Sequence, residues 1–251
     1  MRIFVINLKR SNRRREFMIK QLNSLGLIFE LFEATDGNNL TEEDLSILCN
    51  TEKARQKIGR HLTSGEIGFT DSHLRIYEKM IAENIPRALI LEDDIKLDPK
   101  IIQVLEDSFL ATRKFDWLHI DYVSVGTETL RGGLKGARKD FIKNPLTIIY
   151  SLLKLLYLSI TTIYEVLREK WYQHKPTIAY FARPLYLTGA YIITVEGAKK
   201  IIDLNRPIVH LADMVQNKAR ITSRLKLLAI VPKLAEQDQI NFMSEIGERE
   251  N

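Results

Sequence analysis

The sequence predicts an α/β fold: a sheet built on parallel strands, doubly wound, with helices flanking it. Two observations lead there. A strand–helix–strand pattern opens the chain, which implies parallel strands, and a wholly apolar run near residue 90 has the composition of a central strand buried on both faces.

Residues 3–8 are a short apolar run rich in branched side chains, as in a buried strand. Ser11 or Asn12 can cap the next helix. Phe17, Met18, Gln21, Leu22 and Leu25 form its apolar stripe, and Gly26 ends it. Residues 28–32 alternate as a strand and lead into a turn at Ala34-Thr35-Asp36-Gly37. Residues 38–62 are polar and mixed, as in short helices. Thr63 and Glu66 form a capping box. The helix it opens turns Ile67, Leu74, Tyr77 and Ile81 toward a core, and Pro86 marks its end. The apolar residues 88–91 run straight into Glu92-Asp93-Asp94. Residues 117–123 and 185–194 read as strands, Val195–Asn205 as a helix, and Leu227–Val231 as the last strand. Residues 124–140, rich in glycine and charge, read as a loop. Asn144-Pro145 is a helix start, with a capping side chain followed by proline at the first helical position. No internal repeat or Gly/Ser linker divides the chain. Residues 1–251 are therefore expected to form a single domain with an inserted helical arm around 140–175.

With 45% apolar and 27% charged residues in 251, the chain can bury a substantial core and is not disordered. One cysteine, Cys49, excludes an internal disulfide framework, suits a reducing compartment and reads as a small apolar filler. The opening apolar run is too short for a signal peptide and is followed by Lys9, Arg10, Arg13, Arg14 and Arg15, so a cytosolic location is expected. The formal net charge of +5 is uneven: residues 131–175 carry +6 and the remainder −1.

The acid triplet is the sharpest chemical feature. Three carboxylates in a row repel one another, and at a strand end they call for a cation. Carboxylate oxygens suit Mg²⁺ or Mn²⁺, which bind one or two carboxylates plus substrate phosphates. In open α/β sheets ligands collect outside the carboxyl ends of the strands. Geometry and chemistry thus point together to a metal–diphosphate site. The plainer alternative is a solvated acidic turn capping the next helix.

Five motifs, in order, resemble those of glycosyltransferase family 25, the bacterial lipopolysaccharide or lipooligosaccharide galactosyltransferases. They are Val5-Ile6-Asn7-Leu8-Lys9-Arg10 with Arg13-Arg14; Ala34-Thr35-Asp36-Gly37; Gly65-Glu66-Ile67-Gly68 with Ser72-His73-Leu74; Leu89-Ile90-Leu91-Glu92-Asp93-Asp94; and Thr188-Gly189-Ala190-Tyr191-Ile192-Ile193. The resemblance spans roughly residues 2–215. Residues 130–178 and the tail past 232 depart from the family pattern, which leaves acceptor choice least supported.

The resemblance implies a GT-A-type, Rossmann-like fold and inverting transfer of galactose from UDP-galactose, with Mn²⁺ or Mg²⁺ as cofactor. Asp94, supported by Glu92 or Asp93, would hold the metal. Resemblance and strand-end position together imply a donor-binding set of Asn7, Leu8, Arg10, Arg13, Arg14, Thr35, Asp36, His73, Glu92, Asp93, Thr188 and Gly189. The arginines suit bidentate phosphate contacts, or else form a solvated helix face. His73 either touches the donor or is a buried, hydrogen-bonded histidine. Gly189, lacking Cβ, would let backbone approach the sugar. Inversion needs a base for the acceptor hydroxyl. Asp213, with Asp238 in reserve, is the candidate, and a helix-capping role is its alternative.

Residues 146–164 are nearly all apolar, but their polar residues recur every three or four positions, which describes an amphipathic helix rather than a span. Flanking basic residues, with Trp171 and Tyr172, suit an anionic membrane surface. The expected setting is the cytoplasmic, inner face of a bacterial inner membrane, next to a lipid-anchored oligosaccharide acceptor. Packing on the chain's own core or in a homodimer is the alternative. The basic residues adjoin an apolar helix and not an aromatic sheet, which argues against nucleic acid. Two other functional classes remain: a metal-dependent nucleotidyltransferase, disfavoured by the lack of a Gly-rich phosphate loop, and a catalytically inactive relative acting as a membrane-surface assembly partner.

Overall fold

In the computed structural model, the structure describes residues 1–124, scattered positions between 156 and 172, residues 175–181, 183–238 and 240–242. The chain opens with β1 (Arg2–Asn7), α1 (Asn12–Ser24) and β2 (Glu30–Glu33). Helices α2 (Glu42–Leu48), α3 (Thr51–Ile58) and α4 (Ser64–Ala82) lead to β3 (Arg87–Glu92). Then come β4 (Ile95–Leu97), α5 (Ile101–Val104), α6 (Asp107–Leu110), β5 (Trp117–His119) and β6 (Val123–Ser124). After the expected arm follow β7 (Thr177–Ala179), β8 (Leu185–Tyr186), β9 (Ala190–Thr194), α7 (Val195–Asn205), α8 (Ala212–Thr222), β10 (Leu227–Val231) and β11 (Ala235–Gln237).

Seven strands form the main sheet in the order β2-β1-β3-β9-β5-β10-β7. The central strands are buried on both faces, so alternate residues feed two cores. Ile90, Trp117 and Tyr191 join the face covered by α4 and α7, with Leu74 and Ile201. Leu89, Leu118 and Ile192 join the face covered by α1 and α5, with Met18, Leu22 and Ile101. This two-sided burial is why β3 reads as a continuous apolar run.

Local chemistry fixes the elements that carry the site. Thr63 and Glu66 close the capping box of α4: the Thr63 hydroxyl accepts from Glu66 N–H at 3.2 Å and the Glu66 carboxylate accepts from Thr63 N–H at 3.1 Å. Arg60 pairs with the same buried carboxylate at 2.6 Å. The 34–37 turn lies directly on α4, because a Cβ on Gly68 would stand 2.6 Å from the Thr35 carbonyl oxygen. Ser72 Oγ then accepts from Thr35 N–H at 2.9 Å.

Several expectations need correction. The sheet is mixed: β1, β2 and β3 are mutually parallel as expected, but β9 runs antiparallel to both β3 and β5, and β7 antiparallel to β10. Residues 117–123 are two strands, because the chain leaves the main sheet after His119 and pairs Val123 with Tyr186 instead. Residues 185–194 break at Leu187, whose φ of 80° no strand continues through. The second strand starts at Glu30, leaving Ile28 exposed. Helix α4 stops at Ala82, four residues before Pro86, and Asn84 turns the chain with a positive φ. Ser11 takes the N-cap position of α1 without a side-chain capping bond. β11 follows β10, which is therefore not the last strand. Cys49 is a free, buried thiol, as expected. The loop at 124–140, the helix start at Asn144-Pro145 and most of the 140–175 arm lie outside the described residues.

Candidate active site

The carboxyl ends of β1, β3 and β5 and the amino end of the antiparallel β9 meet at one edge of the sheet. Leu91 pairs with Ala190 and His119 with Tyr191. Continuing that register sets Glu92 and Asp121 on either side of Gly189. Two hydrogen bonds hold the row: Glu92 N–H donates to Gly189 O at 2.9 Å, and Asp121 N–H to Ala190 O at 3.0 Å.

The acid triplet divides along this edge. Asp93 points into the start of α1, where it accepts from Arg14 Nη1 at 2.8 Å and Asn7 Nδ2 at 2.7 Å. Arg14 also lies 3.3 Å from Asp94 Oδ2, and Arg15 Nε donates to Asn7 Oδ1 at 2.9 Å. Asn7, Arg14 and Asp93, all expected at the donor, therefore form a buried latch tying β1 and α1 to the end of β3.

Glu92 accepts from the Thr188 hydroxyl at 2.8 Å, and Gln237 Nε2 approaches at 3.5 Å. Crowding by protein, and after it the charge of Asp94, pushes its carboxyl up to about 8, against the opposing Thr188 hydrogen bond; Asp121 and Asp93 push the same way. Asp121 is pushed up to about 6, first by burial; Lys233 lowers it, and Asp94 and Glu236 raise it. Thus Thr188 meets Glu92 as a site residue, while Asp121, Lys233, Glu236 and Gln237 join the site without having been singled out from the sequence. Asp121 carries no motif, and only pairing with β9 reveals it.

Gly189 fits tightly against its neighbours. A Cβ there would stand 2.7 Å from Asp121 Oδ2 and collide with the Ile95 side chain, so the missing Cβ makes room for a carboxylate.

The Leu8 carbonyl accepts from Ser11 N–H at 2.9 Å. Arg10, exposed, pairs with Asp36, whose carboxylate also accepts from Asn38 N–H at 3.1 Å. Thr35 donates to Asp71 at 2.6 Å, and Asp71 pairs with Arg206 at 2.7 Å. His73 is buried rather than at the surface of the site. Its Nδ1 meets the Tyr191 hydroxyl at 2.7 Å, and burial pushes it down to about 3. Asp213 sits in the first turn of α8, after the N-cap Leu211. That end of α8 is fixed by Ala212 N–H on Thr70 Oγ1 and by Gln216 on the Leu185 carbonyl, both at 3.2 Å.

Among the described residues, no three His, Cys, Asp or Glu side chains converge as a ready metal cage. The donor set nevertheless fits a hard cation bound largely through phosphate and water, which needs only one or two protein carboxylates. Asp94 and Glu92 offer those.

A model of glycosyltransferase family 25, described as LPS biosynthesis protein, matches residues 1–216. The chain belongs to glycosyltransferase family 25. A family 25 member from Aedes aegypti is 30% identical over 208 residues, covering 80% of the chain and 28% of that protein. Procollagen galactosyltransferase 2 from Homo sapiens is 25% identical over 211 residues, covering 81% of the chain and 27% of that protein. Inactive glycosyltransferase 25 family member 3 from Homo sapiens is 29% identical over 143 residues, covering 53% of the chain and 24% of that protein. The chain thus spans about a quarter of the length of these eukaryotic relatives.

Residues past the family 25 match complete the edge. β11 pairs antiparallel with β4, and Asp238 N–H donates to the Asp94 carbonyl at 2.8 Å. The Asp238 carboxylate itself caps Asn241, accepting from its N–H at 3.2 Å and its Nδ2 at 2.7 Å, which lowers its pKa. Phe242 packs 5.3 Å from Phe17, with the Arg13 and Arg14 guanidinium groups over its ring at 5.7 and 5.5 Å. The tail is therefore part of the site's framework.

Proposed function

We propose that this family 25 chain is a metal-dependent, inverting hexosyltransferase that moves galactose from UDP-galactose, β-linked, onto a lipooligosaccharide or lipopolysaccharide oligosaccharide. The observation that carries the reading is the row of carboxylates at the sheet edge, bordered by the arginine-rich start of α1. Galactose is supported by the relative named as a procollagen galactosyltransferase, and the acceptor by the family's description.

In this reading Asp94 and Glu92 would hold Mn²⁺ or Mg²⁺, and such an ion, when bound, neutralises charge growing on the diphosphate leaving group. Arg10, exposed at the end of β1, offers bidentate contacts to phosphate. Asp213 takes the proton of the attacking acceptor hydroxyl on the face opposite the breaking bond, with Asp238 in reserve. The latch of Asn7, Arg14 and Asp93 keeps the strand end in place.

We further place the protein on the cytoplasmic face of the inner membrane. Leu156, Ile160, Ile163 and Leu167 recur at helical spacing and are all exposed, an arrangement that suits a lipid surface or a second copy. Among the described residues, no helix is long and apolar enough to cross a membrane.

The test is transfer of labelled galactose from UDP-galactose to purified lipooligosaccharide, with Mn²⁺ or with EDTA. Transfer that EDTA abolishes is expected. Transfer indifferent to EDTA contradicts the metal role. Failure with every nucleotide sugar favours a second reading, a catalytically inactive assembly partner, which the likeness to an inactive human relative supports.

A further inference from the structure

We propose that the foot of β10 carries a second ligand site, a cationic cleft that takes a phosphate group borne on a carbon skeleton. It stands at the sheet edge opposite the acid row and does not depend on the transfer chemistry.

The charge pattern comes first. Outside residues 131–175 the chain sums to −1, yet residues 214–235 hold five cations, Lys218, Arg220, Arg224, Lys226 and Lys233, and no acid. The fold gathers part of this run with a cation from elsewhere. β5 and β10 are parallel, with Trp117 beside Leu227, so Lys114 and Lys226 both stand just before the amino ends of their strands. β7 runs antiparallel to β10 and delivers Tyr180 to the same edge. Arg220 comes from the last turn of α8.

A cleft of about 410 Å³ opens there, within the size range of small-molecule sites. Lys114, Arg220 and Lys226 line it, with Tyr180, Ile221 and Leu225 among its apolar walls and no acid in the lining. Asp116, beside Lys226 in the fold, is already engaged: it pairs with Lys200 at 2.7 Å and accepts from Lys226 N–H at 2.8 Å. The Lys226 main chain is held from the other side too, since its carbonyl accepts from Asp116 and Trp117 N–H at 2.9 and 3.1 Å. Neither the Lys114 nor the Lys226 side chain forms an ion pair among the described residues. Three like charges on one concave surface raise its potential and attract an anion. A phosphate ester answers each feature. Its oxygens accept from ammonium and guanidinium donors, and its carbon skeleton meets Tyr180 and Ile221, which are 63% and 75% exposed at the rim.

Two sources offer that chemistry, a soluble sugar phosphate and an anionic lipid headgroup. The test compares the full chain with a Lys114→Gln, Lys226→Gln double variant, in EDTA. Both side chains are exposed, so the fold should hold and the unliganded melting temperatures should agree. Lys114→Gln alone reads the same loss should the double variant melt early. Arg220 is left in place because it also holds the Phe181 and Arg183 carbonyls, at 3.0 and 3.4 Å. Calorimetric titration uses glucose 6-phosphate, with glucose as the neutral control. Co-sedimentation uses phosphatidylglycerol vesicles. The expected result is binding of a phosphate-bearing probe that the substitutions weaken about tenfold or more, the scale of lost hydrogen bonds to charged groups. Weakening seen with glucose 6-phosphate assigns the cleft to a soluble ligand, and weakening seen with vesicles alone assigns it to a headgroup. Equal binding by both chains, equal binding of glucose and its phosphate, or no binding of either phosphate-bearing probe overturns the inference.

Discussion

Asp93 and Asp121 end neighbouring parts of one sheet edge, and both are buried, yet they are built for opposite purposes. Asp93 is held by a guanidinium and an amide and ties three elements together. Asp121 keeps an oxygen without a donor beside two more acids. The difference shows that charge along a sequence does not predict charge in a site. β3 ends at Glu92, and the turn that follows sends Asp93 into the scaffold, while Glu92 meets Thr188 and Asp94 lies beside Arg14.

The comparison can be broken at either end. Asp94→Ala should reduce sugar transfer by on the order of 10²–10³-fold or more, the scale of lost transition-state charge stabilisation, with Arg14 keeping its pairing to Asp93. Asp213→Ala should lower turnover by roughly 10²–10⁴-fold with KM for the donor little changed, the scale for a general base. Near-normal turnover in either variant sinks its assignment. Arg14→Met attacks the paired side. It removes the guanidinium paired with the buried Asp93 and should cost about 3–5 kcal/mol in chemical denaturation.

Acid should also act on the core beneath the row. Burial pushes His73 and His119 down to about 3 from 6.5, so these two groups bind fewer protons in the folded than in the unfolded chain between those values. Their contribution to stability is fully present above pH 6.5 and is lost as pH falls toward 3. The raised carboxyls of Glu92 and Asp121 act in the opposite sense between about pH 8 and 4, so the histidine effect is read by difference: on acidification the urea midpoint of His119→Asn should fall less than that of the unsubstituted chain. An identical fall in both contradicts the neutral, buried state of His119. The smallest effect is expected for Phe242→Ala, about 1 kcal/mol from one aromatic pair and the cation–π contacts of Arg13 and Arg14.

Much of the framework was legible. The capping box at Thr63 and Glu66, the run from Arg87 to Glu92 and the helix Val195–Asn205 are local signals, and each stands where the pattern places it. What escaped depends on pairing. Nothing in residues 185–194 announces an antiparallel insertion between two strands, and nothing in 233–242 announces that the chain returns to the acid triplet. His73 carried a motif but lies under the site. Asp121 carried none and lies within it, because register with β9, not spacing along the chain, decides the row.

In the proposed reading the open side of this edge binds a nucleotide diphosphate through a metal. The most direct test is the melting temperature of the chain with UDP, with and without Mn²⁺, beside Asp94→Ala. Binding to the folded state alone must raise it. A rise that needs UDP and Mn²⁺ together, and is absent in Asp94→Ala, is the predicted result. An equal rise without metal, or one that survives Asp94→Ala, contradicts the account.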